Sequence, residues 1–291
     1  MAESLIDLIK ILRDRTGAGL MDCKSALLNN NSDLEKATDW LREKGLAKAA
    51  KKAGRVAAEG LAITKTCEKC GKTVILEVNC ETDFVSKGEA FHAFVDAIAE
   101  TILTNNCQDV ESAKALCEGL FTDATVKMGE KFDLRRFVII DKVDGQGVTT
   151  YIHMGGKIAT VVVLAKEDAE LGKGLAMHVA ANNPQYLDIK DVPAAEFNHE
   201  KSVQLETAKN DEKLANKPAE MLAKIIDAKV TKYFSEMVLG SQAYLMDDSK
   251  TVANVLKEKN NSVIKFVRYQ VGEGIEKRQD DFASEVMSQM K

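Results

Sequence analysis

Two cysteines three residues apart are the first feature of this sequence that could do chemistry. Cys67 and Cys70 have the spacing of half a structural zinc site or of a dithiol redox motif. A closed zinc site needs four ligands, and no second pair has matching spacing. A redox pair of the thioredoxin kind should open a helix, whereas this pair lies between two predicted strands. We interpret it as a hairpin turn with two thiols, and zinc binding by Cys67 and Cys70 stays an open alternative.

Two Gly-Lys pairs resemble the end of a phosphate-binding loop. Gly71-Lys72 is followed by Thr73, but the first glycine of that motif would fall on Thr66. The residues that follow predict a strand, whereas the mechanism requires a helix N-terminus beside the phosphates. Gly156-Lys157 fails for similar reasons. We therefore expect no direct nucleotide binding and no cofactor.

The histidines give no sign of catalysis either. They are His92, His153, His178 and His199, and none stands in a recognisable nucleophile or metal motif. The sequence therefore predicts a protein that is not an enzyme and has no catalytic residues.

The composition is that of an ordinary globular protein of about two domains. The net charge of -5 argues against a protein whose main ligand is a nucleic-acid backbone. The start of the chain lacks the pattern of a signal or transit peptide, and the longest apolar run, 158–165, is too short to span a bilayer. We expect a cytoplasmic protein with six reduced cysteines, no membrane partner and no nucleic-acid partner.

The elements that must position any site begin with three short helices in residues 1–46. Leu5, Leu8, Ile9 and Leu12 have helical spacing, and the third helix is expected to stop at Gly45. Residues 47–60 follow as a basic helical linker. Three short helices bury little surface, so we expect a small docking domain.

The core is predicted to be α+β, in two related halves with antiparallel sheets at 61–141 and 142–262. Gly71-Lys72 begins one copy of a strand–strand–helix plan and Gly156-Lys157 the other. Asp83 and Asp168 lie at the same distance after these pairs, and Phe84 is thereby matched with Ala169. A later strand of the first copy is expected at 137–143.

A helical hairpin is predicted at about 194–237, inside the second half, with its hinge at 210–218. Its apolar stripe favours either self-association or packing on the body of the protein. Residues 263–291 are predicted to form a C-terminal module of one strand and one helix.

The segment Thr82-Asp83-Phe84-Val85 lies where a strand should end and a helix begin. In one interpretation Thr82 or Asp83 caps the helix and Phe84 folds back on it as a hydrophobic staple. In the other, Phe84 projects as an aromatic wedge. The residues themselves leave both open.

Several further segments, in one consistent order along the chain, decide between them. They are Thr16-Gly17-Ala18-Gly19-Leu20-Met21-Asp22-Cys23-Lys24, Lys51-Lys52-Ala53-Gly54, Glu77-Val78-Asn79-Cys80-Glu81-Thr82-Asp83-Phe84-Val85, His153 with Gly156-Lys157-Ile158, Ala176-Met177-His178-Val179-Ala180-Ala181, and Val271-Gly272-Glu273-Gly274-Ile275-Glu276-Lys277. With them the chain resembles the elongation factor Ts family, the nucleotide-exchange factors of elongation factor Tu.

The resemblance implies a ubiquitin-associated-like N-terminal domain, a two-part α+β core, a helical hairpin and a C-terminal helical module. It also implies that Thr82–Val85, with Asp83 and Phe84 foremost, enter beside the magnesium and phosphate site of the GTPase. The remaining implied contacts with elongation factor Tu are made by Lys24, Lys51, Lys52, Met128, Gly129, His153, Gly156, Lys157 and His178.

Two rival functions stay open from the sequence. One is a metal-binding accessory protein that uses Cys67 and Cys70, and the other an RNA-binding protein that uses the Lys48–Arg55 helix. RNA binding through that helix would depend strongly on salt.

Overall fold

The computed structural model describes residues 4–210 and 218–276. Their contacts group them into two units. Unit 1 contains 4–141, 152–159 and 269–276, and unit 2 contains 142–151, 160–210 and 218–268. The predicted α+β class is confirmed, since helices are combined with small sheets. The domain bounds drawn from the sequence stay a prediction.

Unit 1 begins with the three predicted helices, α1 (Leu5–Thr16), α2 (Leu20–Asn29) and α3 (Leu34–Lys52). Ser4 caps α1, and Gly17 ends it in the left-handed conformation. The helices enclose a small core of their own, made by Ile9, Leu12, Ala18, Cys23, Ala26, Leu27, Ala37 and Leu41.

The predicted stop at Gly45 is wrong, because α3 continues to Lys52. Gly45 is buried, and a Cβ there would lie 2.4 Å from the Val126 side chain. This glycine allows α3 to pack closely rather than ending it. The separate helical linker is wrong for the same reason, since residues 47–52 belong to α3 and 59–60 to the first strand.

The sheet of unit 1 has the order β1 (Glu59–Cys67), β2 (Lys72–Cys80) and β3 (Asp133–Asp141), with antiparallel pairing throughout. Between β2 and β3 the chain forms α4 (Asp83–Ser86), α5 (Glu89–Asn105), α6 (Val110–Leu116) and α7 (Glu118–Met128). The long helix α5 packs against the sheet, and its Phe91, Ile98 and Ile102 are fully buried in the main core.

Unit 2 contains most of a second sheet, with the order β4 (Gly147–His153), β5 (Ile158–Leu164) and β8 (Val263–Gln270). The helix α8 (Ala169–Asn182) follows β5. A small two-stranded sheet of β6 (Ala243–Tyr244) and β7 (Asp247–Thr251) leads into α11 (Val252–Glu258). The core of this unit joins β5 and α8 to these later elements.

The hairpin helices of unit 2 are α9 (Ala194–Lys209) and α10 (Ala219–Ser235). Ile226, Val230 and Phe234 of α10 are buried, and the Phe234 ring stacks on Phe197 of α9 at 5.8 Å. The predicted stripe therefore packs within the unit, and self-association through the hairpin stays a prediction. Most of the predicted hinge, 211–217, and the predicted terminal helix lie outside the described residues.

Among the helices of residues 4–210 and 218–276, none is both long enough and apolar enough to cross a bilayer.

Candidate functional site

The predicted tip lies between the end of β2 and the start of α4. Thr82 is the N-cap of α4, since its Oγ1 accepts a hydrogen bond from the backbone N–H of Val85 at 3.4 Å. Asp83 is therefore not the cap but the first helical residue. The helix α4 has only four residues, and a new helix starts after Gly88.

The three side chains that follow Asp83 point to different environments. Phe84 is 86% exposed, so it does not fold back as a hydrophobic staple. Val85 packs against the main core of unit 1. Ser86 is buried and donates to the carbonyl of Asp83 at 3.1 Å. The tip is thus anchored from below, with one large apolar ring left in solvent.

A single carboxylate fixes the backbone at the base of the tip. Oε2 of Glu130 accepts from the N–H groups of Glu81 and Thr82 at 3.0 and 3.1 Å. Its Oε1 accepts from the Thr82 hydroxyl at 2.5 Å. Hydrogen bonds to a charged acceptor are stronger than neutral ones. Glu130 therefore holds the chain just before α4 in one conformation.

Glu81 connects the same region to the segment that follows α3. Its Oε1 accepts from the N–H of Lys131 at 2.7 Å, and its Oε2 pairs with Arg55 at 3.0 Å. The Lys131 ammonium donates to the carbonyls of Ala53 and Arg55 at 2.7 and 2.8 Å. Together with the Glu130 bonds, these contacts form what we call the mount of the tip: Arg55, Glu81, Thr82, Glu130 and Lys131.

Asp83 pairs with Lys87 one helical turn later, at 2.6 Å. The hydrogen bond from Lys87 is the main reason that the pKa of Asp83 lies below its ordinary value. Both side chains are in solvent, where such a pair contributes little to stability. Asp83 is thus ionised at neutral pH and lies beside the exposed ring of Phe84.

Cys80 lies directly beneath the tip and has no chemical role there. It is fully buried, and its thiol donates to the carbonyl of Thr82 at 3.2 Å. Burial raises the pKa of Cys80 to about 12, and the nearby Glu130 carboxylate adds to the effect. The thiol is therefore uncharged at neutral pH and is not a nucleophile.

The predicted contact residues of the helical region differ in accessibility. Lys24 and Lys51 are exposed. Lys52 donates to the carbonyl of Gly129, which ends α7 in the left-handed conformation. Met128 is half-buried against the main core. Lys52, Met128 and Gly129 thus lie together near Glu130, whereas Lys24 and Lys51 leave their ammonium groups in solvent.

At the turn between β4 and β5, His153 is exposed, and Lys157 pairs with Glu59 at 2.7 Å. Gly156 is wrongly predicted as a contact residue, because it is buried. Its carbonyl accepts from the N–H of Ala62 at 2.7 Å, and a Cβ would lie 2.6 Å from the Leu61 side chain. Gly156 therefore permits close packing within unit 1.

His178 is also wrongly predicted as a contact residue. It is fully buried in unit 2, where its ring nitrogens contact Gln242 at 2.8 Å, Asn182 at 3.3 Å and the N–H of Leu245 at 3.2 Å. Burial lowers the pKa of His178. A neutral imidazole with these partners is a structural group of the core, because no part of it reaches the surface.

Comparison with known proteins identifies the family. The family model described as elongation factor TS matches residues 81–273, which include the tip and Glu130. Elongation factor Ts of Acholeplasma laidlawii (strain PG-8A) is 45% identical over 290 residues, and the match covers 97% of each chain. The chain belongs to the elongation factor Ts family. The resemblance carried by the sequence segments is confirmed.

Within this elongation factor Ts, sequence reasoning missed most of the mount. Arg55, Glu81, Glu130 and Lys131 stand in no local motif, and Glu130 lies far along the chain from the two amides that it binds. Only the left-handed Gly129 at the end of α7 was visible as a signal. It predicts a turn there but not its partner.

The basic segment of this elongation factor Ts is largely engaged within the protein. Lys48 pairs with Asp22 at 3.0 Å, Lys52 donates to Gly129, and Arg55 pairs with Glu81. Cations already paired with protein groups are poor partners for a nucleic-acid backbone. The RNA-binding alternative therefore receives no support from this helix.

Proposed function

We propose that this chain promotes GDP release from elongation factor Tu in the cytoplasm. The Asp83–Phe84 tip enters beside the magnesium and phosphate site of the GTPase, and GTP then rebinds. The family supplies the partner. The observation that carries the proposal is the 86% exposure of Phe84 on a fixed base.

The exposure of this ring is unfavourable in the free protein. Burying a phenylalanine stabilises a fold by about 1.5–3 kcal/mol relative to leaving it in water. Val85, its neighbour, does pack on the core, so the fold could recruit an apolar side chain here. A ring that remains in solvent gains that free energy only when a partner covers it.

The mount gives the tip its second property, which is a fixed conformation. Glu130 binds two backbone amides and a hydroxyl, and Glu81 is held from two sides. A preorganised tip loses less conformational entropy when it binds than a flexible loop would. More of the binding free energy can therefore act against the nucleotide.

The mechanism follows from thermodynamic linkage and breaks no covalent bond. A factor that binds nucleotide-free elongation factor Tu more tightly than the GDP form weakens GDP binding by the same ratio. Such a protein needs no acid, base or cofactor. The Asp83 carboxylate and the Phe84 ring would disturb the magnesium and phosphate contacts only while inserted.

The remaining contacts hold the partner during exchange. Lys24 and Lys51, which are exposed, would bind its nucleotide domain. Met128 and Gly129 would add contacts beside the mount, with Lys52 positioning the Gly129 carbonyl. His153 and Lys157 would contact another domain of elongation factor Tu. These contacts supply affinity, whereas the tip supplies release.

Stopped-flow release of a fluorescent GDP from elongation factor Tu tests the proposal. Phe84→Ala should slow release at a saturating concentration of the factor by about 5- to 150-fold, the usual range of a coupling between two sites. The matched control is Leu116→Ala, which removes an exposed side chain of α6 in the same unit. Unchanged release with Phe84→Ala would contradict the role of the tip.

A further inference from the structure

The turn between β1 and β2 holds two thiols that the proposed exchange does not use. Cys67 ends β1 and is paired in register with Lys72, the first residue of β2. Glu68, Lys69 and Cys70 form the turn, and Gly71 closes it with a φ of 63°. A helical turn followed by a left-handed glycine returns the chain on itself within four residues. It therefore places the Cys67 and Cys70 side chains together.

The contacts of the two sulfur atoms confirm this proximity. Sγ of Cys70 lies 3.7 Å from the Cys67 carbonyl oxygen, and its thiol also hydrogen-bonds the Cys67 sulfur. That bond is the main reason that the pKa of Cys67 is lowered, and the backbone N–H groups of Cys70 and Lys69 contribute to it. The same thiol–thiol bond is the main reason that the pKa of Cys70 is raised.

Backbone N–H groups directed at a cysteine sulfur stabilise its thiolate, which is the form that binds metals. Cys70 is exposed and Cys67 half-buried, so a cation can reach both. The other four cysteines are buried in the cores: Cys23, Cys80, Cys107 and Cys117. The turn is therefore the place where this chain presents thiolates to solvent.

The charged side chains beside the turn already have partners. Lys65 pairs with Asp96 and Glu100 at 2.9 and 3.0 Å, and Lys72 pairs with Asp141 at 3.4 Å. Within residues 4–210 and 218–276, no three His, Cys, Asp or Glu side chains surround a common point. The nearby carboxylates thus screen lysines and do not complete a metal site.

We propose that the β1–β2 turn binds a thiophilic divalent cation, such as Zn²⁺, through the Cys67 and Cys70 thiolates. The chain supplies two of the four ligands of a tetrahedral site, and the other two come from outside it. The two thiols lose their protons to solvent when the cation binds, and no electron is transferred. The turn and the tip are at opposite ends of β2, roughly 25 Å apart at the rise of a strand.

Cobalt is a suitable probe, because thiolate–Co²⁺ bonds absorb strongly in the near ultraviolet. The full chain, reduced with a phosphine, is titrated with Co²⁺ and then with Zn²⁺. We expect a saturable thiolate absorbance that Zn²⁺ removes, and that falls to background in Cys67→Ser and in Cys70→Ser. Glu68→Gln, which changes the turn but keeps both thiols, should retain it.

The source of the outer ligands is read from the same samples by metal analysis and light scattering. One cation per two chains with a doubled mass shows that the same turn of a second copy completes the site. One cation per chain with an unchanged mass shows that water completes it, and either result supports the proposal. Equal cation binding by the wild type and the Cys67→Ser/Cys70→Ser variant would overturn it, as would an intramolecular disulfide only.

Discussion

The two places where a core strand leads into a helix differ in a single position. In unit 1, β2 is followed by the cap Thr82, whose Oγ1 accepts from Val85. In unit 2, β5 is followed by the cap Asp168, whose Oδ1 accepts from the N–H of Leu171 at 3.0 Å. Val85 and Leu171 both pack on the core of their unit. Cap and inward-facing residue therefore have the same spacing in both.

When the two caps are aligned, Phe84 corresponds to Glu170 rather than to Ala169. The sequence comparison, which matched Asp83 with Asp168, was wrong by one residue at this point. Glu170 is exposed in the first turn of α8, where a negative charge is favoured by the helix dipole. The same position thus takes an ordinary charged residue in unit 2 and an exposed phenylalanine in unit 1.

A second difference lies in the helices that follow. The helix α8 continues for 14 residues, whereas α4 ends after 4 and Gly88 separates it from α5. The mount has its own elements too, since Glu130 binds the residues just before α4. The strand-to-helix connection needs neither feature for stability in unit 2. We attribute both to the function of the tip.

Exchanging the residues at this position should have the largest effect. Phe84→Glu gives the tip the residue of unit 2, and we expect GDP release to slow by about 100-fold, within the usual range of couplings. The Glu170→Phe variant should release GDP as the wild type does. If Glu170→Phe slowed release as much as Phe84→Glu, the two positions would not differ in function. Stopped-flow release measures both.

Glu130→Gln removes the charge that holds the base of the tip. Because hydrogen bonds to charged groups contribute about 1.5–3 kcal/mol each, we expect a lower free energy of unfolding and slower GDP release. The control is Glu43→Gln, which makes the same change on the exposed face of α3. Urea unfolding and release rates are measured on both. Wild-type release with Glu130→Gln would show that the mount is not needed.

Replacement of the two caps separates stability from function. Thr82→Ala and Asp168→Ala should each lower the free energy of unfolding by about 0.5–2 kcal/mol, as cap losses do. GDP release should slow in Thr82→Ala and stay at the wild-type rate in Asp168→Ala. A cap loss that slowed release equally in both units would point to general destabilisation.

The smallest effect is expected at the Asp83–Lys87 pair. Lys87→Gln removes the main cause of the low pKa of Asp83, so that pKa should rise towards its ordinary value. Because the folded-state pKa is lowered, the pair stabilises the fold above the unfolded pKa and is lost as the pH falls through the folded one. Carbon-detected NMR titration of Asp83 measures the shift. An unchanged pKa would show that Lys87 does not contact it in solution.

Local patterns predicted the elements of unit 1 better than their packing. The bounds of β1 and β2 came within two residues, because turn residues frame alternating apolar ones. The strand predicted at 137–143 starts earlier, at Asp133, where it pairs with Asn79 of β2. Gly45 looked like a helix end, because the sequence does not show that α7 packs against it.

The candidate site shows the same limit. The position of Phe84 was visible from the strand-to-helix transition, but its exposure depends on which side chain fills the core, and that is Val85. His178 and Gly156 belong to family segments, yet both are buried. Family segments mark residues that the fold needs as well as residues that a partner meets, and only the structure separates the two.

The central claim is that Phe84 couples partner binding to nucleotide release. The most direct test is the affinity of the wild type and of Phe84→Ala for elongation factor Tu in its nucleotide-free and GDP-bound forms, measured by calorimetry. The ratio of the two affinities is the coupling itself. We predict that Phe84→Ala lowers this ratio by about 5- to 150-fold, mainly by weakening binding to the nucleotide-free form. An equal loss of affinity for both forms would contradict the claim, because Phe84 would then be an ordinary contact.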